Sequence, residues 1–364
     1  MALFKFPLML AFAVVIFLQS SGAGREAEAA SAKKPTTVAE LALYRGPDRQ
    51  GLLEEGARKE GTLTFYTTGT VPTMVLPTIK AFNKKYPDIQ VEYFRGDTMA
   101  LFTRVTEEHR AGKHTFDLLE TNAPYLYEGR KILQPFYSPE MVNLEGGGLR
   151  KERGASDNYW AGHWETCIIL MYNTDKISKA EAPKTYQDLL DPKWKGKMTI
   201  PTTTTGVSWV GNILTHQGEA FVEKMTKQDV RVQNISGGAL GELVVSGEVP
   251  LTPATFTSNA TRSLAVGAPV GVSFLEPVGC ELQGIMLSRN APHPHAAMLF
   301  IDFTLSKEAA EVRNPTYASP RKDMVGKGVA AGPFKKWYHN LVPDPIKTHQ
   351  KWREVLMEKF VEKN

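Results

Sequence analysis

The chain has 364 residues, 43 Lys and Arg against 39 Asp and Glu, a formal net charge of +4 and two cysteines. That length suits two packed units rather than one, each able to bury its own core. The near balance of charge, with no basic run interleaved with aromatics, excludes a nucleic-acid-binding class.

Lys5 precedes an apolar run, Phe6 to Leu18, followed by small residues around Ser21-Gly22-Ala23 and Ala27-Glu28-Ala29. This is the pattern of a secretory signal peptide, placed at 1–29, with Ala23 and Ala29 as competing cleavage points. The run is shorter than the roughly 20 residues that cross a bilayer. No cysteine lies near either cleavage point, so a lipid anchor is not expected. Residues 30–56 read as a leader to the fold.

Gly61 closes a polar stretch, and the β-branched run Thr62 to Thr67 predicts a buried strand. Val75, Ile79 and Phe82 stand at helical spacing, and Tyr86-Pro87-Asp88 stops that helix. Ile89, Val91 and Tyr93 alternate with polar residues as a second strand. Leu101, Phe102, Val105 and His109 share one face of a second helix, and Phe116 to Leu119 reads as a third strand. Strand-helix-strand-helix-strand order implies right-handed crossovers and a largely parallel sheet. A second α/β unit follows, with strands at Lys197 to Ile200 and Val230 to Gln233 and helices from near Val207 and over Gly238 to Val245. Near the C-terminus, Trp352, Val355, Leu356 and Phe360 make an amphipathic segment expected to pack back onto a lobe.

Ligands in open α/β sheets bind beyond the carboxyl ends of the strands. In the first unit that rule selects Thr67, Thr68, Arg95, Glu120, Thr121 and Asn122. In the second it selects Thr204, Thr205, Gly206, Val207, Ser236, Thr255 and Phe256. His163, Trp164 and Glu165 lie where the chain passes between units and are expected to face the cleft. The run Pro201-Thr202-Thr203-Thr204-Thr205-Gly206 before a helix leaves backbone N–H groups free for an anion, and Arg95 offers it a bidentate partner. Helix capping by threonine and a surface arginine are the bland alternatives.

The chain carries none of the common catalytic signatures: no Gly-x-Ser-x-Gly elbow, phosphate loop, paired histidines around a glutamate, or dinucleotide fingerprint. His293 and His295, in Ala291-Pro292-His293-Pro294-His295, read as structural at a helix start. Cys167 and Cys280 both enter apolar strand-like segments, and a bridge or two buried thiols are equally open.

The segment Thr185-Tyr186-Gln187-Asp188-Leu189-Leu190-Asp191-Pro192-Lys193-Trp194-Lys195-Gly196-Lys197 resembles a stretch of the bacterial extracellular solute-binding proteins of ABC importers, of the ferric-iron type. Ser246-Gly247-Glu248-Val249-Pro250, Gly267-Ala268-Pro269-Val270 and the Pro292-His293-Pro294-His295 run look like later landmarks of that family, in order. The resemblance implies an α/β type II periplasmic binding fold, two lobes with a hinge and an interlobe cleft. The lobes are expected at 57–158 plus 276–364 and at 159–275. It further implies a periplasmic monomer that captures a solute by lobe closure, delivers it to an inner-membrane permease, catalyses nothing and carries no cofactor or resident metal.

Iron-binding members place adjacent tyrosines between the second and third landmarks, whereas Thr252 to Ala260 contains none. Ferric iron wants oxygen donors, which Phe256 cannot provide. The sequence therefore points first to a small anionic organic solute, with ferric iron as the alternative. An α/β enzyme stands behind both.

Overall fold

The computed structural model describes residues 34–144, 149–151, 157–313, 315–324, 337–339 and 345–362. The signal peptide and both cleavage points fall outside them. The expected leader is instead partly built into the fold. Helix α1 (Val38–Leu43) starts on a Thr37 capping box with Glu40, and α2 (Arg49–Glu60) ends on left-handed Gly61. Leu41, Ala42 and Leu53 enter the first core, and the buried Arg49 guanidinium pairs with Asp302. Apolar spacing was too sparse in 38–60 for the sequence to reveal this packing.

Strands β1 (Thr62–Thr67), β2 (Gln90–Arg95) and β3 (Leu118–Thr121) pair in parallel with β1 central, through helices α3 (Leu76–Lys85) and α4 (Thr98–Arg110). The expectation of a largely parallel sheet fails beyond this point. Two long strands, β6 (Asn158–Asn173) and β11 (Val278–Ser288), run antiparallel to one another, and β11 also runs antiparallel to β3. Short strands β4 (Leu133–Gln134), β5 (Leu149–Lys151) and β12 (Trp337–His339) edge the same sheet. Both long strands are buried along almost their whole length, so they lack the alternation that marks a half-exposed strand.

These strands link two cores. The first half of β6 pairs with β5 and β11, whereas Ile168 to Asn173 pair with β9 (Leu251–Phe256) and β10 (Val270–Ser273) in the second unit. That unit adds a parallel pair, β7 (Thr199–Pro201) and β8 (Arg231–Gln233), with α5 (Thr204–His216), α6 (Glu219–Met225), α7 (Gly237–Val245) and α8 (Thr257–Ala265). The first core is completed by α9 (Pro294–Leu305) and α10 (Lys307–Arg313). His293 lies at the N-terminus of α9 with its backbone N and Nδ1 on the buried Asp117 carboxylate, at 2.6 and 3.0 Å. His295 Nδ1 meets Glu60 at 2.7 Å. Both histidines are thus tied into helix capping.

Cys167 and Cys280 face each other in the β6–β11 register and form a disulfide. The bridge sits where the two strands leave the first core for the second.

The last helix, α11 (Pro345–Leu356), departs from the expected lobe division. Trp352, Leu356 and Phe360 insert into the core of the second unit, not into that of residues 276–324. Gly211 on α5 makes this possible, because a Cβ there would come within 2.4 Å of the Trp352 ring. Trp209 is buried in the same core against Phe360, so it offers no surface to a ligand.

Candidate functional site

The carboxyl ends of β1 and β3 meet the crossing strands, and most side chains chosen from the sequence turn inward there. Thr67 donates to Glu120 at 3.0 Å and accepts from Gly69 N at 2.8 Å, which fixes the turn after β1. Glu120 is fully buried, with the Trp164 indole at 3.5 Å and His163 Nε2 at 3.2 Å. Burial drives the His163 pKa down, with Glu120 opposing only in part, so this histidine is neutral. Beside it Arg313 donates to the His163 and Thr304 carbonyls, and burial lowers its pKa to about 10. Trp164 packs on Tyr317 at 4.4 Å between ring centres. Glu165 pairs through its backbone with Ala318.

Several other choices cap or brace the loops. Thr68 reaches Gln283 at 3.3 Å, Thr121 accepts from Ala123 N at 3.2 Å, and Ser236 caps α7 through Ala239 N at 3.1 Å. Thr255 is buried and Phe256 packs against the second core. Thr205 and Gly206 are buried behind the first turn of α5. Arg95 stands exposed at the end of β2, held at 2.8 Å by Asp97.

Three of the selected residues, Asn122, Thr204 and Val207, line an open cavity of about 360 Å³ between the two units. Its walls come from four places. The first unit gives Thr98, Met99 and the segment Ala123 to Leu126, while the crossing strands give Trp160, Glu281 and Leu282. The second unit gives the start of α5, and α11 gives His349, Gln350 and Arg353. Such a space, mostly apolar with a few placed polar groups, has the character of a small-molecule site.

Glu281 is the polar centre of this cavity. Ser208 Oγ of α5 donates to one carboxylate oxygen, and Asn122 Nδ2 donates to the other at 3.1 Å. One carboxylate on a crossing strand thereby ties both units. Burial raises its pKa, and the two hydrogen bonds offset this only partly. Two features beside it favour negative charge. The first N–H groups of α5 lack intrahelical partners, and the Thr203 side chain does not cap them. Arg353 supplies a cation from α11.

Sequence reasoning missed Tyr125, Trp160, Glu281, His349 and Arg353. Glu281 carried a usable signal, since a lone carboxylate in the apolar run Cys280 to Leu287 must be satisfied or used. The two helix residues carried none, because helical periodicity places them beside Trp352 and Leu356 without telling what the edge of that face meets. Among the described residues, no three His, Cys, Asp or Glu side chains converge as a metal site would require.

A family model described as bacterial extracellular solute-binding protein matches residues 78–324. Iron uptake protein A1 of Synechocystis sp. is 29% identical over 240 residues, which is 61% of this chain and 65% of that protein's length. An uncharacterized protein of Haemophilus influenzae is 25% identical over 273 residues, covering 72% of this chain and 78% of its own length. Two solved structures share the fold. Iron-bound HitA from Pseudomonas aeruginosa aligns with a TM-score of 0.65 at 21% identity, over 81% of this chain and 99% of its own. The Trichodesmium protein in complex with iron and citrate aligns with a TM-score of 0.65 at 21% identity, over 82% and 99%. The fold is therefore the type II periplasmic binding fold that the sequence landmarks imply.

Proposed function

The chain belongs to the bacterial extracellular solute-binding proteins, and from that premise we propose that it is the periplasmic receptor of an ABC importer whose cargo is ferric iron complexed by an organic acid. The cavity between the units carries this reading, because its α5 N-terminus and Arg353 favour an anion in a space far larger than a bare ion. Support for iron comes from the relatives, since the Synechocystis protein is named for iron uptake and the Trichodesmium structure holds iron with citrate. Support for an organic partner comes from the residues. Thr252 to Ala260 contains no tyrosine, and the described residues gather no three acidic, histidine or cysteine ligands. The acid would supply the oxygen donors that hard ferric iron needs.

The second reading is the organic acid alone, which the scarcity of protein donors favours. In either case binding would draw the two units together without covalent chemistry, the solute favouring the closed form. The first unit comprises 38–158 with 276–324, and the second comprises 159–275 with α11 docked on it. The signal peptide over 1–29, delivery to an inner-membrane permease and a monomeric state complete the proposal.

Calorimetric titration of the mature chain with ferric citrate, citrate and ferric nitrilotriacetate tests this. The variant Thr204→Trp fills the cavity from an exposed position of α5. Saturable binding of an acid or its ferric complex, abolished in the variant, is expected. Binding of iron from every chelate alike, unaffected by Thr204→Trp, would reject the site.

A further inference from the structure

The C-terminal helix is anchored on one side of the cavity and touches the other. Trp352 and Leu356 hold α11 to the second core, while His349 and Arg353, along the edge of the same helix face, line the cavity, the His349 ring 4.7 Å from that of Trp352. There the His349 ring meets the Tyr125 ring of the first unit at 5.3 Å between centres and 30° between planes. The helix therefore spans the cleft. A solute seated there is enclosed by the two units, the crossing strand and this third wall.

The chemistry of that enclosure is uneven. Tyr125, Trp160 and His349 present flat rings, and burial lowers the His349 pKa to about 4, so its ring is uncharged at physiological pH. The Trp160 Nε1 is buried and meets no acceptor among the described residues. Glu281 offers carboxylate oxygens, each with one donor already from Ser208 or Asn122 and lone pairs remaining. Arg353 and the start of α5 offer positive potential. A compact, wholly polar acid would bury its own polar groups against ring faces at a cost. A planar acid would stack on the rings and still reach every polar group.

We propose that α11 completes the solute site and that its preferred solute is a planar aromatic hydroxy acid, with the ring against Tyr125 and His349, a hydroxyl on Glu281, and the acid group toward Arg353 and α5. The proposal rests on the reading of the cleft as an acid-binding site and narrows it. Vicinal hydroxyl and carboxylate oxygens on such a ring also bind ferric iron, so it holds for the free acid and for its complex.

Calorimetry on the mature chain with 2,3-dihydroxybenzoate and with citrate, each alone and as the ferric complex, provides the test. The aromatic acid is expected to bind at least tenfold more tightly than citrate. His349→Ala should weaken it about five- to tenfold, as loss of a ring contact predicts, while His349→Phe retains affinity and Arg353→Gln weakens both acids. If an acid binds but none of these variants changes its affinity, or citrate binds more tightly, the inference falls and the reading of the cleft stands. If none of the four probes binds, both fall. Melting temperatures of the variants within 2 °C, in the sense of an exposed or half-exposed substitution, exclude misfolding as the cause.

Discussion

Removing the bridge by Cys167→Ser with Cys280→Ser should cost the protein most of a typical domain's margin. The disulfide joins positions 113 residues apart and closes a loop that contains nearly the whole second unit. Cross-linking a loop of that length restricts the unfolded chain by about 5 kcal/mol. At a urea dependence of about 3 kcal/mol per molar, the unfolding midpoint should fall by about 1.7 M. The assay is equilibrium urea unfolding followed by tryptophan fluorescence, comparing oxidised wild type with the double variant. Because the loop spans 168–279, the loss should fall on the transition of the second unit if the two units unfold separately. A midpoint unchanged within 0.3 M, about a fifth of the expected shift, would refute the assignment of a closed bridge between the crossing strands.

Three further outcomes follow from the site. His349 is lowered from 6.5 to about 4 in the fold, so the unfolded chain takes up its proton first; the stability it contributes above pH 6.5 is lost as pH falls toward 4. Wild type should therefore lose about 2 kcal/mol more than His349→Gln between pH 7 and pH 5 in urea titrations, and parallel curves would contradict the burial of that ring. Glu281 is shifted the other way, with a folded pKa above its ordinary 4.5, so its contribution is present below pH 4.5 and is lost as pH rises through the folded value. Glu281→Gln should raise the melting temperature at pH 7 while weakening solute binding; a lowered melting temperature would contradict the cost of burying that carboxylate. Arg95 is exposed and paired with Asp97, so Arg95→Ala should leave solute affinity within about twofold, as expected of a surface pair, and a tenfold loss in the titration would return Arg95 to the site.

The sequence made some of this architecture legible and hid the rest for identifiable reasons. Strands β1 to β3 and the helices between them announced themselves because local periodicity sets both element and crossover. The antiparallel place of β11 beside β3 did not, since it joins Glu120 to Ile285 across the intervening second unit. Residues 38–60 are helical mainly through packing on α9, a tertiary effect that propensity does not carry. Glu120, His163 and Trp164 were chosen as cleft residues by position in the chain, yet their side chains are buried against one another inside the first unit. The strand-end rule found Asn122 and Thr204 because it concerns backbone position. It missed Tyr125, Glu281 and His349 because these meet only when α11 lies across the cleft. His349 stands 224 positions after Tyr125 in the chain, and no local pattern links them.

The most direct measurement of the central claim is mass spectrometry with metal analysis of what co-purifies with the protein from a native periplasm, run beside the Thr204→Trp chain. One organic acid per wild-type chain, accompanied by up to one iron, is expected, and neither in the variant. An equal load on both chains, or iron without any acid, would contradict it.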